Sequence, residues 1–139
     1  MNLKIKAVSP KIGTDIPFPF YASAGAAGMD LCACMDEPVT IAPRQIVSLP
    51  TGIAIALPSA DYVALVFARS GLGIKHGVAL ANGVGVIDSD YRGEIRVGLV
   101  NQSDGPFTIQ PGDRVAQLER VETLDETERG AGGFGSTGK

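Results

Sequence analysis

Residues 93–100, Gly-Glu-Ile-Arg-Val-Gly-Leu-Val, carry the strongest indication of the fold class. Their apolar members Ile95, Val97 and Leu99 alternate with charged or small residues, and a period of two is that of a half-buried β-strand. Similar short runs, bounded by proline, glycine or aspartate, recur along the chain at Val39–Ile41, Ile46–Leu49, Gly52–Leu57, Asp61–Phe67 and Phe107–Ile109. We therefore predict an all-β sandwich or barrel.

The composition supports this prediction and indicates one domain. The chain has 139 residues, of which 45% are hydrophobic, enough for a packed core. Its 18 glycines and 9 prolines interrupt the sequence every few residues. Glycine costs a helix interior about 1 kcal/mol relative to alanine, and proline about 3 kcal/mol. Many short strands joined by turns are favoured over long helices.

Charge and cysteine content limit the partners and the compartment. The net charge of −3 gives no general affinity for nucleic acid backbones. The N-terminal residues lack the apolar run of a secretory signal, and no stretch is long enough to span a bilayer, so we expect no membrane partner. Cys32 and Cys34 are too close for an ordinary disulfide and have no zinc-finger partners. We interpret them as core residues in a reducing cytoplasm.

Two segments, 113–129 and 130–139, allow more than one interpretation, and a third, Asn82-Gly83, predicts a turn. Residues 113–129 contain neither glycine nor proline, and their apolar residues Val115, Leu118, Val121 and Leu124 recur every three positions, so a helix is possible there. Asn82-Gly83, between two apolar runs, is typical of a hairpin turn because both residues tolerate positive φ. The glycine-rich end, 130–139, either has no function or orders over a ligand.

Five short clusters combine glycine with charged or hydroxyl residues: 27–31, 68–72, 85–94, 112–118 and 129–138. Each alone is explained by turn chemistry. In this order and with this content, they resemble the five motifs of the trimeric dUTP pyrophosphatases. One departure is Ala68, which stands where the second motif of that family usually has proline.

The resemblance implies a fold, an assembly and an activity. The fold would be a β-sandwich of jelly-roll type, with residues 1–128 as the domain and 129–139 as an arm that closes over a neighbour's site. The assembly would be a homotrimer with three active sites, each shared by all three chains. The activity would be Mg²⁺-dependent hydrolysis of dUTP to dUMP and pyrophosphate, which limits uracil in DNA and supplies dUMP for thymidylate synthesis.

The resemblance also implies roles for individual residues. Asp88 would be the general base that activates water, and Asp30 would help to hold magnesium through water. Asn82 would pair with uracil, Tyr91 would pack beneath the deoxyribose, and Phe134 would stack over the base. The residues expected on the phosphate side and in the closing arm are Arg69, Ser70, Gly71, Gln117, Arg129, Gly135 and Ser136. Arg114 is either a ligand or a structural ion-pair partner, and His76 is assigned no role.

Two other functions compete with this one. A dCTP deaminase, alone or combined with dUTP hydrolysis, has a similar fold but typically carries a second serine where this chain has Gly71. A trimer that binds nucleotide without turnover would have lost Asp88 or the glycine-rich end, and both are present here.

Overall fold

The computed structural model describes residues 2–122, and this part of the chain forms eleven β-strands and one short helix, α1 (Ser70–His76). The all-β class predicted from the sequence is confirmed. The strands are β1 (Lys4–Ala7), β2 (Met29–Cys32), β3 (Val39–Ile41), β4 (Ile46–Pro50), β5 (Ile53–Ala56), β6 (Tyr62–Phe67), β7 (Val78–Leu80), β8 (Gly85–Ile87), β9 (Arg96–Asn101), β10 (Phe107–Ile109) and β11 (Arg114–Glu122).

All ladders between these strands are antiparallel, and they make a sandwich around one apolar core. A four-stranded sheet has the order β2-β11-β6-β8, and a three-stranded sheet has the order β4-β9-β7. The remaining strands form two separate pairs, β1-β5 and β3-β10. Core residues come from all four sheets, among them Leu118, Leu99, Ile53 and Ile109. The strand order places neighbours far apart in sequence side by side, as in a jelly-roll sandwich.

Strand β9 confirms the alternation from which the fold class was predicted. Val97 and Leu99 are buried, whereas Arg96 is exposed and Gly98 is half-buried. The strand begins at Arg96 rather than at Gly93, so the first residues of the alternating run lie outside the ladder.

The segment 114–122 is strand β11, and the helical alternative is wrong for it. Its pairing with β2 shifts between Arg114 and Ala116, which is a β-bulge. A bulge inserts an extra residue and breaks the two-residue alternation of a strand. Val115 and Leu118, three positions apart, are therefore both buried, and the strand imitates a helical spacing.

Two local features differ from expectation. Helix α1 was not predicted; it has no buried residue and is capped at its C-terminus by Gly77, whose φ of 68° suits glycine. Asn82-Gly83 forms a turn, but not a ladder hairpin, because β7 pairs with β9 and β8 pairs with β6. Only Gly83 has positive φ, whereas a two-residue type I′ hairpin would require it at Asn82 as well.

The two cysteines are core residues, as predicted. Both thiols are free and buried, and burial raises the pKa of the Cys32 thiol. A buried thiol with a raised pKa is a poor nucleophile, which fits a packing role. No helix in residues 2–122 is long and apolar enough to cross a membrane.

Candidate active site

A cavity of about 320 Å³ lies between β8 and β9, and three of the residues singled out in the sequence line it. They are Asn82, Asp88 and Tyr91. The apolar part of its wall includes Val66 from β6 and Leu80 from β7. The volume falls at the lower end of the range of small-molecule sites. An apolar wall with a few convergent polar groups is the usual make-up of such sites.

Asp88 follows β8 directly, so its position is fixed by a strand that pairs with β6. The backbone oxygen of Asp88 accepts a hydrogen bond from Tyr91 N at 3.1 Å, which closes a turn at the mouth of the cavity. The Asp88 side chain is exposed, and no group within residues 2–122 forms an ion pair or hydrogen bond with its carboxylate. An accessible carboxylate without competing partners can accept a proton from a bound water.

Tyr91 is held by its own loop. Its hydroxyl donates to the backbone oxygen of Glu94 at 2.9 Å, and 45% of the residue is exposed. The Arg92 guanidinium donates to the backbone oxygens of Ser89 and Tyr91, at 2.7 and 3.0 Å. These side-chain contacts fasten the loop 88–94 on both sides of the tyrosine, so the ring presents a defined surface to the cavity.

Asn82 occupies the turn between β7 and β8. Its backbone oxygen accepts from Val84 N at 2.9 Å, and its side chain is exposed at the cavity. The side-chain amide offers both a donor and an acceptor for a ligand. Turn formation and ligand contact are compatible here, because the turn uses the Asn82 backbone and leaves its amide available.

A second polar cluster surrounds Asp30, which lies on β2 and is only 1% exposed. Asp30 Oδ2 lies 3.1 Å from Arg114 Nη1, and Asp30 Oδ1 lies 3.4 Å from Arg69 Nε. Gln117 Nε2, on the neighbouring strand β11, donates to Asp30 Oδ1 at 3.3 Å. Arg69 Nη1 also donates to the backbone oxygen of Arg114 at 3.1 Å. Arg114 is thus an ion-pair partner, one of the two roles considered for it.

This cluster presents an excess of positive charge to solvent. It combines two guanidinium groups with one carboxylate, and the carboxylate is the buried member. The Arg69 side chain is 22% exposed and that of Arg114 is 44% exposed. Arg69 Nε is buried without a well-aligned hydrogen bond in this part of the chain. Guanidinium groups oriented by an internal carboxylate suit phosphate oxygens.

Within one chain, the two groups of residues do not share the cavity. Arg69 follows the end of β6, and neither it nor Ser70, Gly71 or Gln117 lines the cavity of Asp88. Strand β6 connects the groups, since Val66 lines the cavity and Arg69 lies three positions further on. One chain therefore carries two separate halves of the predicted site.

The remaining predicted residues are Arg129, Phe134, Gly135 and Ser136. They lie outside the described residues, as does the proposed boundary between 128 and 129, so their roles stay predictions.

Sequence reasoning missed the network that joins Asp30 to both arginines. Asp30 and Arg114 are 84 positions apart, and only the pairing of β2 with β11 brings them together. A charged residue in the apolar run Met29–Cys32 was the available signal, because a buried aspartate nearly always has a cationic or hydrogen-bonding partner.

Comparison with known proteins identifies the family, and the matches extend along almost the whole chain. The sequence model of the dUTPase family matches residues 14–138. The deoxyuridine 5'-triphosphate nucleotidohydrolase of Desulfitobacterium hafniense (strain DSM 10664 / DCB-2) is 52% identical over 147 residues, with 99% of this chain and 97% of that protein covered. The enzyme of the same name from Serratia proteamaculans (strain 568) is 47% identical, with the same coverage.

Solved structures agree with this assignment at the level of the fold. The dUTPase of Streptococcus mutans is 29% identical, has a TM-score of 0.73, and is matched over 91% of this chain and 99% of its own. The dUTPase of Staphylococcus aureus phage phi11, described with a structural Mg(II) ion, is 22% identical, has a TM-score of 0.77, and is matched over 98% of this chain and all of its own. With the family sequence model spanning 14–138 and curated relatives near half identity over almost every residue, the chain belongs to the dUTPase family.

Proposed function

We propose that this chain hydrolyses dUTP to dUMP and pyrophosphate, with Asp88 as the general base. The observation that carries the proposal is the meeting of Asp88, Asn82 and Tyr91 in one cavity. These are the three residues assigned to the base, the uracil contact and the sugar contact. The family to which the chain belongs, and the names of its relatives, support the same activity.

The reaction needs one proton acceptor and one departing group. Asp88 accepts a proton from a water molecule, whose oxygen attacks the α-phosphorus. The bond between the α-phosphorus and the oxygen that bridges it to the β-phosphorus breaks, and pyrophosphate leaves with that oxygen. This base must be positioned so that its carboxylate reaches the attacking water. The turn closed by Tyr91 N on the Asp88 backbone provides that positioning.

The cavity recognises the nucleoside. The Asn82 amide can donate to a uracil carbonyl and accept from N3–H, whereas cytosine presents the reversed pattern. The Tyr91 ring packs beneath the deoxyribose and leaves no volume for a 2′-hydroxyl. Exclusion of ribose is therefore steric and needs no hydrogen bond to the sugar.

The Asp30 cluster supplies the phosphate contacts, and it does so from a neighbouring subunit. Arg69 and Gln117 are held by Asp30, and Ser70 and Gly71 continue from Arg69 into α1. These residues do not line their own chain's cavity, which supports a site that combines the Asp88 half of one chain with the Arg69 half of another. We infer a homotrimer with shared sites.

We propose that Asp30 orients Arg69 and Arg114 rather than helping to hold magnesium through water. It is buried, and both of its carboxylate oxygens face cationic or amide donors. No group of three or more histidine, cysteine, aspartate or glutamate residues in 2–122 could hold a metal. We propose that Mg²⁺ enters with the triphosphate, whose oxygens and bound waters supply most of its ligands. When bound, it would neutralise phosphate charge.

The cellular role follows from the substrate and the product. Removal of dUTP limits the incorporation of uracil into DNA, and dUMP is the precursor for thymidylate synthesis. Free, buried cysteines suit a reducing compartment, and we place the enzyme in the cytoplasm on that ground.

A substrate panel tests the activity. With dUTP, dTTP, dCTP and UTP, each with and without Mg²⁺, we expect pyrophosphate release from dUTP at least about 100-fold faster than from the others. Chromatography of the products separates hydrolysis from deamination. Conversion of dCTP into dUTP or dUMP would support the deaminase alternative, and saturable dUTP binding without turnover would support a non-catalytic trimer.

Complementation tests the shared site. Homotrimers of Arg69→Ala and of Asp88→Asn should each be impaired, because every site lacks one of the two residues. After the two chains are co-expressed, random assembly leaves about one site in four with both wild-type residues, so activity should return. Mixing the assembled homotrimers without subunit exchange is the control. No recovery in mixed trimers confirmed by mass would mean that one chain supplies both residues.

A further inference from the structure

Gly93 lies in the loop that carries Tyr91, and it has no space for a side chain. A Cβ atom at position 93 would lie 2.5 Å from Tyr91 Oη, 2.7 Å from Cζ and 3.1 Å from Cε1. Contacts below 3.0 Å are essentially never made by real Cβ atoms, so the ring would have to move. The φ of Gly93 is not in the left-handed region. The present position of the Tyr91 ring, rather than the backbone conformation, therefore leaves no room for a Cβ atom at position 93.

The ring position that Gly93 permits is also the one that is hydrogen-bonded. The Tyr91 hydroxyl reaches across Gly93 to the backbone oxygen of Glu94. Glu94 is itself tied to the core layer, because its carboxylate accepts from Gly52 N at 3.4 Å and Ile95 N donates to Ile53 O at 2.9 Å. The tyrosine is thus hydrogen-bonded to a fixed part of the fold. Because residue 93 has no side chain, the Tyr91 hydroxyl can reach the backbone oxygen of Glu94.

We propose that Gly93 is a positioning residue for sugar selectivity: it lets the Tyr91 ring lie against Glu94, where the ring closes the cavity to a 2′-hydroxyl. The inference rests on the proposed function, in which Tyr91 contacts the deoxyribose. A side chain at 93 displaces the ring toward solvent, where Tyr91 is already 45% exposed. The cavity then widens at the sugar and admits ribose.

The test compares kcat/KM for dUTP and UTP in Gly93→Ala, Tyr91→Ala and the double variant. We expect Gly93→Ala to lower the dUTP to UTP ratio by at least about tenfold, the size of effect that one misplaced pocket group produces. Because Gly93 acts through the ring, adding Gly93→Ala to Tyr91→Ala should change the ratio less than about twofold. Gly25→Ala is the matched control, since a Cβ there meets no atom within 4 Å and its φ is not left-handed.

Several outcomes would overturn the proposal. One is an unchanged ratio of kcat/KM for dUTP to kcat/KM for UTP in Gly93→Ala. Another is a fall in that ratio that is equally large whether Gly93→Ala is introduced into the wild type or into Tyr91→Ala. If Gly93→Ala does not fold, the double variant decides: a folded double variant locates the conflict at the ring, and a misfolded one shows that position 93 serves the backbone instead. A wild-type enzyme that hydrolyses dUTP and UTP equally well would contradict the proposed function itself. If the wild-type enzyme prefers dUTP and Gly93→Ala keeps that preference, only the role of Gly93 is contradicted.

Discussion

Replacing Asp88 with asparagine is expected to lower kcat for dUTP by about 100- to 10,000-fold, the range that a general base contributes. This corresponds to about 3 to 5 kcal/mol of transition-state stabilisation. Asparagine keeps the size of the side chain and removes its capacity to accept the proton from water. The Asp88 backbone, which accepts from Tyr91 N, is untouched, so the turn and the cavity should persist.

The measurement is single-turnover pyrophosphate release at saturating dUTP, together with KM. We expect KM within about threefold of wild type, because the substitution affects an interaction made in the transition state rather than in the bound substrate. Asp90→Asn is the matched control: Asp90 is exposed, lies two positions away and does not line the cavity, so its kcat should be that of wild type. Comparable losses from both substitutions would indicate a general effect of charge in this loop and would remove Asp88 as the base.

The fold was predictable where local pattern and burial agree. β3 and β10 have the predicted boundaries, and β9 buries the alternate residues that its sequence indicates. Strand β11 was ambiguous because the bulge near Arg114 places buried residues three positions apart, a spacing that a helix also produces. A bulge depends on the register against β2, and one strand's own sequence does not contain that register.

Helix α1 was missed for a different reason. Gly71 and Gly73 lower helix propensity, and no buried residue gives the segment an apolar stripe. The turn at Asn82-Gly83 shows the opposite error, in which good local chemistry predicted a hairpin but the flanking strands pair elsewhere. The local sequence predicted the turn correctly but the pairing of the two flanking strands incorrectly, because strand pairing depends on the whole sandwich.

The motifs identified the residues of the candidate site, but the sequence did not show how those residues are arranged in space. Asp88, Asn82 and Tyr91 lie within ten positions of each other, so one loop and one turn suffice to bring them to one cavity. The Asp30 cluster joins residues from β2, the end of β6 and β11, and these elements meet only through sheet order. The role of Asp30 therefore became visible only when its neighbours across the sheet were known.

Asp30→Asn is expected to lower kcat/KM for dUTP by about 10- to 100-fold, because misplacement of a positioning group by about 1 Å can cost that much. The substitution removes the charge that orients Arg69 and Arg114, while an amide still fills the buried space. A fully buried ion pair that loses one partner costs about 3 to 5 kcal/mol, and an exposed one about 0 to 1 kcal/mol. Since both guanidinium groups are partly exposed, the free energy of unfolding should fall by an intermediate amount, about 1 to 3 kcal/mol.

Asp36→Asn is the matched control for the loss of an ion pair. Asp36 lies 2.6 Å from Lys11, but its side chain is 83% exposed, so both the kinetics and the midpoint of thermal unfolding should match wild type.

A Mg²⁺ titration then separates the two possible roles of Asp30. If Asp30 orients the arginines, Asp30→Asn raises KM while the half-saturating Mg²⁺ concentration stays the same. If the half-saturating Mg²⁺ concentration rises instead, and KM at saturating Mg²⁺ is that of wild type, Asp30 is a metal-binding residue. The Asp30 carboxylate would then not be buried between the two guanidinium groups in the substrate-bound enzyme.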